Sequence, residues 1–152
     1  MSEKTDPKEI FGLLARLVVA GVFIYAGIVK ALAPAEEFAY AIESYKVLAA
    51  GPALWAAYAV PWIELYAGLL LAAGIFTRLS GLLTAAMLAF FELLLAQAWL
   101  RGLPVTSCGC FGAGKSNSLP HEFMQNLVLL GLLWLALRRG RGLSADALVR
   151  EP

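Results

Sequence analysis

The chain has little charge, and the charge that it has is nearly balanced. Of its 152 residues only 15% are charged, 12 basic and 11 acidic, whereas 61% are hydrophobic. No basic run is dense enough to neutralise a phosphate backbone, so the sequence argues against nucleic-acid binding. This excess of apolar residues is typical of a membrane protein and not of a soluble globular one.

A cleavable secretion signal is also missing from the start of the sequence. Glu3, Asp6 and Glu9 interrupt the positive region that a signal peptide needs, and no small-residue cleavage site follows the first apolar run. We therefore expect the first hydrophobic segment to remain as a membrane anchor.

Long hydrophobic runs, by contrast, are abundant. A spanning helix needs about 20 mostly apolar residues. Four segments approach this length, at about 11–31, 58–76, 79–100 and 123–137. The pattern predicts an all-α membrane protein, with residues 1–152 forming a single integral domain built as an up-and-down bundle of four transmembrane helices. Small residues such as Gly27, Gly68 and Gly81 would let these helices approach closely.

The segment between the first two spans has the pattern of an amphipathic helix. Its apolar side chains recur at helical spacing, and its charged ones lie mostly elsewhere around the helix. Pro34 suits the start of such a helix, and Gly51-Pro52 suits its end. We expect this helix to lie on the outer membrane face, either as a cover for the bundle or as a docking surface for a partner or a lipid-soluble substrate.

The distribution of basic residues predicts the orientation. Eight Lys and Arg residues lie at the two termini and in the turn at Arg78, and four lie on the opposite side. The positive-inside rule then predicts a multi-pass protein of the inner (plasma) membrane with both termini in the cytoplasm. The outer loop at 101–122, with the sequence "CGC", would be extracytoplasmic, where disulfides form and persist.

Two carboxylates fall inside predicted spans, and unpaired charges are unfavourable there. Glu64 and Glu92 are expected at a similar depth, with Lys30 ending the first span on the same outer side. Gln125 and Asn126 add polar groups near that level. The cluster is either a buried ion-pair network that fixes helix packing, or a group that supplies and removes protons beneath the cysteine loop.

The only two cysteines, Cys108 and Cys110, are separated by Gly109. As a dithiol/disulfide couple they would form a short, strained ring of the labile kind. As a metal site they would hold a soft ion such as Cu(I), Hg(II) or Zn(II), but His121 is the only obvious third ligand, so no metal is expected. A structural disulfide over one residue would constrain almost no loop. His121 is either a solvated interfacial residue or a proton shuttle.

The sequence resembles a known family along nearly its whole length. "RLVVAGVFIYAGIVKALAP" is similar to the first-helix pattern of DoxX-like membrane proteins, "PWIELYAGLLLAAGIFTRLSG" resembles their second helix, and "CGCFG" resembles the signature of the MauE branch. The resemblance implies a four-helix bundle that handles disulfides on the outer face. By the same resemblance, Cys108 and Cys110 have the redox role, and Lys30, Glu64 and Glu92 form the polar cluster.

The sequence therefore predicts a membrane thiol-disulfide redox protein. Its partners would be membrane lipid and a periplasmic or extracellular thioredoxin-like protein or disulfide-containing substrate protein, with a quinone as a plausible electron acceptor. The alternatives are a soft-metal (Cu, Hg) binding or transport protein, and an assembly factor without catalysis.

Overall fold

The computed structural model describes residues 6–103, 118–139 and 144–148, and the regular structure in these ranges is helical. The helices are α1 (Pro7–Leu32), α2 (Ala35–Ser44), α3 (Ala50–Ala73), α4 (Thr77–Leu100), α5 (Leu119–Arg139) and α6 (Ala145–Leu148). The all-helical prediction is therefore confirmed for the described part of the chain.

Three helices, α1, α3 and α4, are long and apolar enough to cross a membrane. Large hydrophobic side chains lie on their outer surfaces, such as Phe11, Trp55 and Leu79, which are 64%, 79% and 67% exposed. An apolar outer surface of this kind fits contact with lipid. The fourth predicted span lies within α5, whose first turns contain Glu122, Gln125 and Asn126, and this helix is not among the three.

The second span begins earlier than its hydrophobic run indicates. Helix α2 already ends at Ser44, and Gly51 and Pro52 lie in the first turn of α3. The prediction that Gly51-Pro52 ends the amphipathic helix was therefore wrong. A proline is tolerated in a first helical turn because its missing N–H has no intrahelical partner there.

Helices α3 and α4 form a hairpin, and the turn between them lies at residues 74–76 instead of at 77–78, between the two predicted spans. Gly74 and Phe76 both adopt left-handed backbone angles, with φ of 69° and 47°. Thr77 and Arg78 already belong to the first turn of α4. The loop after α4 is shorter than the predicted 101–122, because residues 119–122 belong to α5.

Helix α1 packs closely against α3 through glycines. A Cβ atom at Gly27 would lie 2.8 Å from the Pro61 carbonyl oxygen, and one at Gly68 would lie 3.0 Å from the Ala20 carbonyl oxygen. Side chains at these positions would push the two backbones apart, which confirms the role predicted for the small residues. Helix α2 covers the N-terminal part of α3 with its predicted apolar face, which includes the buried Phe38.

Candidate functional site

A buried ion pair joins the end of α1 to the middle of α3. The Lys30 Nζ atom donates to both carboxylate oxygens of Glu64, at 2.6 Å and 2.7 Å. The two side chains are only 1% and 4% exposed. Two short, charge-assisted bonds compensate for the removal of both charges from water.

Two aromatic rings enclose the Lys30 ammonium group on its other sides. The centroid of the Phe38 ring is 5.1 Å from Nζ, and that of the Phe91 ring is 5.5 Å from it. Both distances fall in the range of cation–π attraction. Because Phe38 belongs to α2 and Phe91 to α4, the ion pair and the two rings together bring side chains from four helices into contact.

The second carboxylate, Glu92, lies beside the amide of Asn126, which projects from α5. Both carboxylate oxygens of Glu92 and the Asn126 Nδ2 atom are buried, and among the described residues they have no partner in hydrogen-bonding geometry. Buried polar atoms are nearly always hydrogen-bonded in folded proteins. An exception of this kind therefore marks a position where a proton, a water molecule or a ligand group fits the local chemistry.

A small cavity of about 30 Å³ is lined by one member of each polar pair. Glu64 and Asn126 both line it, and Phe91 lines it from α4. This volume is enough for a water molecule, since a site needs roughly 10–15 Å³ to hold one. The described structure thus brings Lys30 and Glu64 into direct contact and places Glu92 beside Asn126, which lines this cavity together with Glu64.

The three auxiliary residues differ in their surroundings. His121 is exposed, Gln125 is partly buried and Asn126 is buried. Glu122, which was not among the predicted site residues, is buried one turn before Asn126. The signal was available, because residues 122, 126, 129, 133 and 136 form the buried stripe of α5 at helical spacing.

Both flanks of the cysteine loop are anchored at the same end of the bundle. Leu103 after α4 and Leu119 at the start of α5 pack against a cluster formed by Tyr45, Leu95 and Ala98. The Trp99 and Phe123 rings also meet there in an edge-to-face contact, with centroids 6.0 Å apart. Cys108 and Cys110 themselves lie outside the described residues, and their predicted roles stay predictions.

A second polar site lies at the opposite end of the bundle, and it was not predicted from the sequence. The Asp146 carboxylate accepts hydrogen bonds from the backbone N–H groups of Phe76 and Thr77, at 2.9 Å and 2.7 Å. It also attracts the buried Arg16 guanidinium. Asp146 therefore caps the start of α4 from a distant part of the sequence, and its role is structural.

Metal-binding side chains are not grouped in the described ranges. No set of three or more His, Cys, Asp and Glu residues there is arranged to hold a metal ion. The two cysteines lie outside those ranges, so the soft-metal alternative rests on the sequence alone.

Comparison with known proteins identifies the family. The family model described as "Methylamine utilisation protein MauE" matches residues 8–139, which include nearly all of the five long helices and the cysteine loop. No significant match was found among curated proteins or solved structures. Because the match covers most of the chain and agrees with the resemblance seen in its sequence, the chain belongs to the MauE family of membrane proteins.

Proposed function

We propose that the chain is a thiol-disulfide oxidoreductase that exchanges disulfides through Cys108 and Cys110 at the outer face of the membrane. The observation that carries the proposal is the anchoring of the loop: Leu103 and Leu119 pack at the bundle end that also holds the Lys30–Glu64 pair. A thiol pair in that loop would therefore share one end of the bundle with buried groups that can exchange protons.

The reaction follows from thiol chemistry. A thiolate of the partner protein attacks one sulfur of the Cys108–Cys110 disulfide and forms a mixed disulfide, while the other sulfur leaves as a thiolate. The partner's second thiolate then attacks the mixed disulfide. The partner leaves with a new disulfide, and the chain retains two reduced cysteines. The partner is a thioredoxin-like protein or a substrate protein outside the cytoplasm.

The proposal includes α5 as a fourth span. Its contacts with α4 run from Trp99 and Phe123 at one end to Gly81 and Leu137 at the other. Along α4 this interval corresponds to about 27 Å at 1.5 Å per residue, close to the thickness of the hydrocarbon core. The polar residues that lower the hydropathy of α5 include Glu122 and Asn126, which are buried inside the bundle.

Orientation in the proposal follows the distribution of basic residues. With both termini in the cytoplasm, the loop that holds the cysteines lies on the oxidising side. Lys30, Glu64 and Glu92 then act below it as the groups that take up and release protons. His121, which is exposed near the loop, and Gln125 assist this transfer.

Trapping of the mixed disulfide tests the function. Cys108→Ser and Cys110→Ser variants of the full chain are expressed in cells, free thiols are blocked with acid and alkylating reagent, and captured proteins are identified by mass spectrometry. We expect one of the two variants to trap an extracytoplasmic thiol protein as a complex that a reductant dissociates. The double Cys→Ala variant is the control and should trap nothing.

Two outcomes would contradict the proposal. Two free thiols in membranes prepared without reductant, which react fully with alkylating mass tags and bind Cu(I) or Hg(II), would favour the soft-metal alternative. Full activity of the double Cys→Ala variant in cells would instead favour an assembly factor without redox turnover.

A further inference from the structure

A large apolar cavity lies between α3 and α4, beneath α2 and the segment that follows it. Its volume is about 480 Å³, within the range of roughly 300–1,000 Å³ that is usual for small-molecule sites. Among the described residues that line it, Tyr45 is the only one with a polar side-chain atom. The cavity is therefore suited to a molecule that is almost entirely hydrophobic.

The cavity opens on the outer surface of the bundle. Three of its lining side chains, Ile63, Leu83 and Phe90, are 42%, 42% and 55% exposed. They project from α3 and α4, which are both candidate membrane spans. A ligand would therefore enter sideways from the lipid and would not need to pass through water.

Four aromatic side chains line the cavity, namely Phe38, Tyr45, Phe90 and Phe91. Aromatic rings prefer offset-stacked or edge-on contacts with other flat rings. A flexible acyl chain gains no comparable directional contact from them. The lining thus favours a ligand with a planar ring over a lipid tail.

Phe91 separates this apolar cavity from the polar cluster. It lines both the large cavity and the small one that Glu64 and Asn126 share. Behind it, Lys30 has three N–H donors, of which two are used by the Glu64 oxygens. The remaining donor has the Phe38 and Phe91 rings as its neighbours.

From this arrangement we propose that a membrane-soluble quinone binds in the large cavity, with its ring against Phe91 and one carbonyl oxygen directed to the remaining donor of Lys30. The Phe91 ring, whose centroid is 5.5 Å from the Lys30 Nζ atom, lies between the cavity and this donor and would have to turn aside for the contact to form. A quinone combines the three features that the site offers to a ligand: a flat ring, an apolar tail and a carbonyl acceptor.

The quinone's part in turnover rests on the proposed function. The reduced Cys108–Cys110 pair gives up two electrons and two protons, so that two S–H bonds break and one S–S bond forms. The quinone accepts the same two electrons and two protons and becomes a quinol. The Lys30–Glu64 pair is placed to exchange one of these protons with a carbonyl oxygen.

Photolabelling of the full chain in lipid nanodiscs tests the site. An azido derivative of a short-chain ubiquinone is cross-linked by light, and labelled peptides are mapped by mass spectrometry. We expect the label on the α4 segment around Met87 and Phe91, and competition by unlabelled quinone. Equal competition by oleate or phosphatidylglycerol would show an acyl-chain site and overturn the proposal.

Two matched variants make the result specific. Ala86→Phe fills the cavity from α4, whereas Ala89→Phe makes the same change at an exposed position outside the lining. We expect labelling to fall at least ten-fold in the first and to stay unchanged in the second. The double variant Lys30→Met/Glu64→Leu, which removes the donor and leaves no buried charge unpaired, should weaken quinone binding about ten-fold. Equal labelling of the Ala86→Phe variant, with its thermal stability retained, would overturn the proposal.

The Cys108→Ser/Cys110→Ser variant distinguishes failure of the site from failure of the function. This variant should bind the quinone as the unaltered chain does, because the described lining of the cavity comes from α2, the segment after it, α3 and α4. Normal quinone labelling together with an inactive dithiol would refute the proposed function alone. Thiol exchange with a partner in a chain that takes no quinone label would refute the site alone.

Discussion

The Lys30–Glu64 ion pair gives the sharpest test of how the bundle is built. Lys30→Met keeps an unbranched side chain of similar length among the Phe38 and Phe91 rings but leaves the Glu64 carboxylate buried without its partner. Removing one partner of a buried pair destabilises a protein by about 3–5 kcal/mol. The two hydrogen bonds at 2.6 Å and 2.7 Å and the near-complete burial place this pair in that class.

The double variant Lys30→Met/Glu64→Leu should behave in the opposite way. With both charges gone, no buried group is left unpaired, and apolar replacements of a buried ion pair are often neutral or stabilising. We therefore expect Lys30→Met alone and Glu64→Leu alone each to lower the free energy of unfolding by about 3–5 kcal/mol. The double variant should have a free energy of unfolding close to that of the unaltered chain.

Reversible unfolding in mixed detergent micelles, followed by circular dichroism, measures these differences. Arg78→Met is the matched control, since Arg78 is exposed, and its change should alter the free energy of unfolding by less than about 0.5 kcal/mol. The prediction is refuted if the losses of stability in the two single variants simply add in the double variant. Additivity would mean that the two charges do not depend on one another.

Three further predictions test other parts of the structure. Asp146→Ala should lower the free energy of unfolding by about 1–2 kcal/mol, because α4 loses its N-terminal cap. The control Glu37→Ala, on the exposed face of α2, should leave the melting temperature unchanged in the same thermal unfolding assay. Equal melting temperatures for the two variants would contradict the cap. Gly27→Ala should lower the free energy of unfolding by about 1–3 kcal/mol, because its Cβ would lie 2.8 Å from a carbonyl oxygen of α3. Gly21→Ala, which meets nothing within 4 Å, should not destabilise, and equal losses would argue against close packing of α1 and α3. Glu92→Gln should keep the fold but slow the oxidation of the partner's thiols at least ten-fold. The control Glu37→Gln should not change this rate. An unchanged rate for Glu92→Gln would show that this residue does not take part in proton transfer.

The helices were predictable because hydrophobic runs of membrane length have few alternative structures. Polar residues inside such runs also indicated the polar cluster, since Glu64 and Glu92 needed partners. The sequence could not say which carboxylate pairs with Lys30, because both lie at a similar depth. That choice depends on the rotation of each helix about its axis, which packing at Gly27 and Gly68 fixes for α1 and α3.

Features that depend on contacts between distant parts of the chain could not be predicted from the sequence. Asp146 caps a helix that begins 69 residues earlier in the chain, and no local pattern marks it as a cap. The large cavity arises from the spacing between α3 and α4, and its lining residues look like ordinary core positions in the sequence. The end of α2 was misjudged because Gly51-Pro52 is compatible with both the end of one helix and the first turn of the next.

Stability alone is a poor reason for the charges in this bundle. The backbones of α1 and α3 already approach closely at Gly27 and Gly68, and apolar side chains at positions 30 and 64 would pack there without removing two charges from water. Glu92 adds two buried oxygens without a hydrogen-bond partner among the described residues, which further lowers stability. The Lys30 ammonium group lies beside the Phe91 ring, which also lines the large cavity. Charged groups that are unfavourable for folding and lie close to such a cavity fit a role in moving protons to a ligand. The double variant Lys30→Met/Glu64→Leu should therefore be a stable bundle that no longer oxidises its partner.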